Sequence, residues 1–327
     1  MMSEILIQKK LLYPDILWKR PVYFYKSKAG RLLILAGSQG KSGAAILTSE
    51  AAFRSGTGVL TLGFPEGLKS IYKGLLPDAM TLPLPETPSH SLAKGSGKEI
   101  LDYTNSVDLV VMGPGLSQNA ETLALIWELL FKIEKPVVLD ADGLNAFSLC
   151  IKILNQKSGE KGIKEYLSKR KFKTVLTPHP GEALSLLKGL GYKEKSKLTS
   201  GKIDKNKKKY ASFLADYLDM FIVLKGHDTV VAEPNGRILI NKLGGPELSV
   251  AGTGDVLSGI VGSFAAQNLY PTNGRANKIF EAISTAVYLH GLSGKLAKEK
   301  LGERSVTASD IVKYLPKAIL KAEGEIG

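Results

Sequence analysis

The stretch GGPELSVAGTGDVLSGIVGSFAAQ, residues 244–267, decides the reading of this chain. Gly252-Thr253-Gly254-Asp255 stands directly before an apolar run, Val256 to Ala266, that reads as a helix buried over most of its surface. Glycine inside an element costs stability relative to alanine, so its place here calls for a reason. A Gly-rich turn that opens a helix presents backbone N–H groups without intrahelical partners, which makes an anion site. An aspartate at the mouth of such a site repels phosphate. Its presence points to chemistry, the alternative being a capping residue in the helix's first turn.

Outward from this turn, short apolar runs alternate with helical patterns. RLLILAG (31–37) is strand-like and GAAILTSEAAFRSG (43–56) helix-like; GVLTLGF (58–64) is the next strand. VDLVVMGPG (107–115) is strand then turn, and AETLALIWELLFKI (120–133) is an amphipathic helix. PVVLDADGLNAF (136–147), TVLTPHPGEALSLL (174–187) and FIVLKGHDTVV (221–231) read as strand, turn and helix. TVVAEPNGRILIN (229–241) looks like a hairpin turning at Pro234-Asn235-Gly236. Helices are predicted over 253–269, 276–299 and 307–321, the last opening at Thr307 with Asp310 three residues on. Strands apolar on both faces, alternating with helices, predict an α/β fold with a mostly parallel central sheet covered on both sides. Residues 77–99 read as a connection at a sheet edge and 188–206 as a surface insertion. Residues 1–29 read as an N-terminal extension packed on one domain, 30–327.

Composition narrows the function classes. The chain has 327 residues, 44% hydrophobic and 23% charged, enough for a sizeable core. No apolar run reaches the ~20 residues of a membrane span, and the N-terminus lacks a signal-peptide block. The single cysteine, Cys150, cannot form an intrachain disulfide and fits a cytoplasmic setting. The net charge of +13 raises nucleic acid as a partner. The lysines, however, crowd into 157–173 and 192–210 without interleaved aromatic residues, which reads as solvated surface with no nucleic-acid site.

Ligands of open α/β sheets bind outside the carboxyl ends of the strands. Here strand ends meet AGSQGKSGA, MGPGLS, DADGLN, TPHPGE and KGHDT. In order, these segments resemble the ribokinase-like superfamily, a three-layer sandwich. Within it they are most similar to the ADP/ATP-dependent NAD(P)H-hydrate dehydratases, over residues 30–320. TPHPGE and LDADGLNA carry more of that resemblance than GTGD, which many sugar and vitamin kinases share.

The resemblance implies nicotinamide nucleotide repair. A phosphoryl group from ADP or ATP, accompanied by Mg2+, passes to the C6 hydroxyl of hydrated (6S) NADH or NADPH (NADHX or NADPHX), and loss of phosphate restores the reduced ring. Asp255 is then the catalytic base and a substrate contact. Gly252, Thr253 and Gly254 form the anion hole, with Gly254 on the nucleotide. Lys225, Gly226, His227, Asp228 and Thr229 match the nucleotide-holding segment, with His227 at a variable position. His179 matches the hydrate-binding histidine, its alternative being a helix cap. Ala44 and Gly115 match small residues lining the hydrate pocket, or pack helix on strand. Glu182 is a cap or a helper; Asp140 and Asp142 could position Mg2+ or ribose hydroxyls, and no metal ligand is assigned.

Two departures bear on donor choice. Lys41 stands where the family often has tyrosine, and the asparagine of the usual Asn-Pro-x-x-Ala run before GTGD is missing. A fused epimerase domain is not expected in the ~30 residues before the core, so epimerisation of the other hydrate would fall to a separate protein. A homo-oligomer, a tetramer by resemblance, is expected. The competing readings are a vitamin or sugar kinase, which would release its phosphorylated alcohol, and a non-catalytic nucleotide-binding module, which would have no use for Asp255.

Overall fold

Apolar runs that pack on both faces become the interior strands of one ten-stranded sheet. The computed structural model describes residues 4–158, 161–192, 197–234, 236–269 and 278–324. In chain order the elements are β1 (Ile5–Gln8), β2 (Arg31–Leu35), α1 (Ser42–Arg54), β3 (Val59–Pro65), α2 (Lys69–Leu75), β4 (Met80–Leu84) and α3 (Gly97–Thr104). They continue with β5 (Leu109–Met112), α4 (Ala120–Lys132), β6 (Val137–Leu139), α5 (Asp142–Ser158), α6 (Lys161–Ser168), β7 (Thr174–Leu176) and α7 (Pro180–Gly189). Next come α8 (Ser200–Lys205), α9 (Lys207–Leu218), β8 (Phe221–Leu224), β9 (Thr229–Ala232) and β10 (Ile238–Asn241). Three helices close the fold: α10 (Thr253–Gln267), α11 (Ile279–Leu301) and α12 (Ala308–Gly324).

The strand order is β1-β10-β9-β8-β7-β6-β5-β2-β3-β4. Every pairing is parallel except those of β9, which runs against both β8 and β10. Side-chain alternation feeds two cores. Leu32, Ile34, Val111, Val138 and Val223 face α1, α10, α11 and α12. Leu33, Leu35, Val110, Met112 and Leu139 face the layer built from α3, α4, α5, α7 and α9. The three-layer α/β sandwich is the architecture expected.

Four local readings change. FIVLKGHDTVV is strand, turn and strand, because β9 pairs back on β8 with Leu224 opposite Val230. The 229–241 hairpin is present, with Ala232 opposite Ile238; Asn235 of its turn lies outside the described residues. Residues 77–99 are more than a connection: Met80–Leu84 is the edge strand β4, and Pro83 is tolerated where only one side needs pairing. The 188–206 segment contributes α8, whose Ile203 is fully buried, while 193–196 lie outside the described residues. The N-terminal segment supplies the opposite edge strand, β1, parallel to β10. The start of the helix read at 276 lies outside the described residues; α11 runs from Ile279. At the last helix, Asp310 Oδ2 accepts from Thr307 N at 3.0 Å and Asp310 N donates to Thr307 Oγ1 at 3.3 Å, the reciprocal cap expected.

The lysine-rich segments are not uniformly solvated. Arg170 is partly buried and donates to the carbonyls of Leu130, Ile133 and Lys135 and to Thr174 Oγ1, which ties α4 to β7. Lys207 is also buried and donates to Asp204 Oδ1 at 2.6 Å. Cys150 is a buried free thiol whose pKa burial raises to about 12. Among the described residues no helix is long and apolar enough to cross a membrane.

Candidate active site

Because the strands that end in Gly37, Gly113, Asp140, Pro178, Lys225 and Asn241 are mutually parallel, their loops share one edge of the sheet. The chain order reverses between β2 and β5, the crevice where such sheets bind ligands. There Gly37 N donates to Pro114 O at 2.9 Å and Ser38 Oγ to Gly115 O at 2.7 Å. Gly115 has φ +63, and a side chain on it would meet Lys41 O at 2.9 Å and Ala44 Cβ at 3.0 Å. Ala44 and Gly115 are therefore packed on each other, the helix–strand contact left open above.

The opposite wall is the first turn of α10. Gly252, its N-cap, is left-handed (φ 92), and a side chain there would strike Leu47 and Ala308, so only glycine serves. Thr253 Oγ1 donates to Leu248 O at 2.9 Å and to Val250 O at 3.0 Å, folding the preceding loop onto the turn. From behind, His290 Nε2 contacts Thr253 O at 3.0 Å. Complete burial outweighs that bond and lowers the His290 pKa to about 4, so the ring is a neutral donor near pH 7. Thr253 N donates to Val250 O at 3.4 Å, and Thr253 and Gly254 line the cleft at the positive end of the helix dipole.

Lys225 reaches this turn from the end of β8. Its Nζ lies 2.6 Å from Asp140 Oδ1, and a side chain on Gly254 would stand 3.2 Å from that Nζ. Asp140, buried, accepts on its other oxygen from Ser258 Oγ at 2.7 Å. The Lys225 side chain is 17% exposed. Burial alone would lower its pKa, but Asp140, with Glu182 and Asp255 nearby, more than compensates, and the ammonium is held above its ordinary range. Asp142 is engaged separately, by Lys41 Nζ at 2.9 Å and Ser117 N at 2.9 Å. Lys41 thus anchors the 38–44 loop to α5.

Asp255 differs from its neighbours. Its backbone carbonyl accepts from Thr48 Oγ1 at 3.1 Å, but its carboxyl takes no hydrogen bond from the described residues and so caps nothing. Burial first, then the Asp140 charge, raise its pKa to about 6, against the pull of Lys225. A half-buried carboxyl poised near neutrality beside an anion turn is equipped to exchange a proton. Glu182 is a second such group: burial, opposed by Lys225 and supported by Asp140, raises it to about 7.

His179 and Glu182 form a capping box on α7. His179 Nδ1 accepts from Gly181 N at 2.9 Å, and Glu182 Oε2 accepts from His179 N at 2.8 Å. The capping alternative for His179 is therefore present. The cap uses Nδ1; the side chain is 57% exposed, and Nε2 stands 3.6 Å from Glu182 Oε1. Burial, together with Lys225, lowers the ring's pKa and keeps it neutral.

The 225–229 loop closes the other side. Gly226 O accepts from Thr229 Oγ1 at 3.0 Å, and Asp228 Oδ2 bonds Lys242 Nζ, so the loop is tied to the end of β10. His227 is largely exposed, as its variable position suggested. Between this loop, the 243–249 segment, α10 and α11 lies a cavity of about 320 Å³. Lys225, Gly226, His227, Thr229, Thr253 and Gly254 line it. A larger groove of about 720 Å³ runs between α5 and α7; it contains none of the residues of this cluster, and its Asn145 bonds Asp142. Among the described residues no three acidic, histidine or cysteine side chains converge as a metal cage.

Ser258, His290 and Asn241 belong to the site and escaped the motif reading. Ser258 lies one position short of a full turn beyond Asp255, and His290 is a lone polar ring on an apolar helix, signals too common to single out.

The chain matches the family model described as NAD(P)H-hydrate dehydratase over residues 32–317. The chain belongs to the NAD(P)H-hydrate dehydratase family. Among relatives, it is 34% identical over 94% of its length to the bifunctional NAD(P)H-hydrate repair enzyme of Moorella thermoacetica, of which it covers 52%. It thus spans about half the length of the bifunctional members it matches. It is 31% identical to the ADP-dependent (S)-NAD(P)H-hydrate dehydratase of Neisseria meningitidis, over 91% of this chain and 87% of that protein. A crystal structure of the ADP/ATP-dependent NAD(P)H-hydrate dehydratase of Bacillus subtilis, co-crystallised with ATP/Mg2+, superimposes with a TM-score of 0.74 at 25% identity, over 99% and 100% of the two chains. The dehydratase family and the ribokinase-like fold expected from TPHPGE, LDADGLNA and GTGD are both borne out.

Proposed function

We propose that this chain dehydrates (6S)-hydrated NADH or NADPH at the expense of ADP or ATP. The observation that carries the reading is the Asp255 carboxyl, which takes no hydrogen bond from the described residues, is held near a pKa of 6 and is set at the α10 turn beside Lys225. The nucleotide occupies the 320 Å³ cavity with its phosphates toward Gly252–Gly254 and the Lys225 ammonium. The hydrated ring enters from the crevice walled by Ala44, Gly115 and His179. Asp255 takes the C6 hydroxyl proton as that oxygen attacks the terminal phosphorus; the O–P bond forms and the bond to the departing nucleotide breaks. The α10 N–H groups and Lys225 balance the charge on the moving phosphoryl group. Elimination then breaks the C6–O bond, phosphate leaves, and a C5 proton is lost to restore the double bond.

Mg2+ accompanies nucleoside polyphosphates and keeps most of its waters. The described carboxylates offer it no closed cage, since Asp140 and Asp142 are already bound by Lys225 and Lys41. It would be carried by the phosphates, and no step is drawn through it.

The test is an absorbance assay on hydrated NADH with ADP and ATP in parallel, with phosphate release followed alongside. Recovery of NADH with stoichiometric phosphate is expected. A phosphorylated alcohol that accumulates would mark a kinase of the same fold instead.

A further inference from the structure

The cavity proposed for the nucleotide is lined by a polar group that the phosphate chemistry does not use. Asn241, the last residue of β10, is 1% exposed and lines the cavity. Its Nδ2 donates to Leu243 O at 2.9 Å. That bond sets the amide's orientation, because the flipped amide would place Oδ1 against a carbonyl. Oδ1 has no partner among the described residues. An orphan buried acceptor lowers stability unless something else satisfies it. Around it the cavity is shaped for a flat ring: Leu243, Leu248, Leu257 and Val287 are apolar, and Gly244 and Gly291 are small.

The competing partner is internal. Gln8 pairs in register with Asn241 across β1 and β10, is fully buried, and has neither amide atom bonded. A small rotation would let Gln8 Nε2 serve Asn241 Oδ1. Gln8, however, does not line the cavity, whereas Asn241 does.

We propose that Asn241 is the base-selecting residue of this cavity: Oδ1 accepts a hydrogen bond from the exocyclic amino group of adenine. The site then admits 6-amino purine nucleotides and disfavours 6-oxo purines, which would set a carbonyl oxygen against Oδ1. The proposal rests on the cavity's assignment to the nucleotide.

Calorimetric titration of the full chain with ADP and with inosine diphosphate tests it. The wild type binds ADP at least about tenfold more tightly, the value of one buried hydrogen bond. Asn241→Leu binds ADP about tenfold more weakly and inosine diphosphate almost unchanged. Gln8→Leu, which leaves Asn241 in place, keeps the preference. Equal affinity of the wild type for the two nucleotides overturns the proposal, and that outcome is readable even if Asn241→Leu fails to fold. Loss of the preference in Gln8→Leu alone moves the role to Gln8 and overturns it too. Binding of neither nucleotide by the wild type overturns the nucleotide site itself along with the base contact.

Discussion

Lys225 Nζ and Asp140 Oδ1 meet at 2.6 Å across the end of the sheet, with Ser258 on the carboxylate's second oxygen. The pair joins the strand that leads into the 225–229 loop to the strand that leads into LDADG, and it holds the ammonium beside Gly254. Removing one partner of a buried pair leaves the other charge uncompensated, which costs about 3–5 kcal/mol. Lys225→Met is therefore expected to melt well below wild type and to bind ADP weakly. Adding Asp140→Asn should recover much of the stability and none of the affinity. Calorimetric melting and titration of both variants check this; affinity regained in the double variant would remove Lys225 from phosphate binding.

Asp255→Asn keeps the shape of the carboxyl and removes the proton acceptor. Loss of a general base costs on the order of 10²–10⁴-fold in rate. The variant should fold, bind ADP at least as tightly as wild type, and turn over hydrated NADH at least ~100-fold more slowly. Wild-type kcat/KM should rise with pH through about 6, as Asp255 ionises. Glu182→Gln serves as control, because Glu182 titrates near 7. If that variant abolishes the rise, the limb belongs to Glu182.

The same raised carboxyl predicts how stability varies with pH. In the folded chain the Asp255 pKa is about 6 against an ordinary 3.8, so the native state holds this proton more tightly than the unfolded chain. Its stabilisation is complete below about pH 4 and is lost as pH rises through 6. Asp255→Asn, uncharged throughout, should melt above wild type near pH 8, with the difference closing toward pH 4. A constant difference at every pH would contradict the burial of this charge.

His179 caps α7, and the hydrate contact we propose for it is separable from that cap. Asparagine caps helices well, so His179→Asn should keep the start of α7 intact, whereas His179→Ala should lose about 1 kcal/mol. Both should raise KM for the hydrate and leave KM for ADP nearly unchanged. Normal hydrate KM in His179→Asn would reduce this histidine to its cap.

Motifs tied to a backbone geometry could be read without coordinates. Gly252-Thr253-Gly254-Asp255 and Pro178-His179-Pro180-Gly181-Glu182 each encode a turn and a helix start, and both lie where the pattern placed them. What could not be read was carried by pairing. Ile5–Gln8 is too short, and its Ile5 and Ile7 too exposed, to announce a strand before β10 is there to receive it. Met80–Leu84 contains Pro83, which argues for a loop until its edge position is known. Thr229–Ala232 fits two readings, a helix after the KGHDT turn and the first arm of the 229–241 hairpin, and only its antiparallel pairing with β8 and β10 decides for the strand. Asn241 and Ser258 sit in no motif; only the juxtaposition of β10 with α11, and of α10 with the end of β6, gives them meaning.

The reversed strand β9 also divides the site by sequence locality. The chain crosses the sheet and returns between Phe221 and Asn241, so β10 finishes at the same edge as β8 without a crossover helix. Lys225, Thr229, Asn241 and Gly254 consequently belong to one continuous block, 225–254. Ala44, Gly115, Asp140 and His179 come instead from four separate strand-to-helix connections, each following a different strand. A graft of the single block could exchange one half-site between homologous chains, with short loops to close and little entropy to lose. The other half could not be moved without moving the sheet.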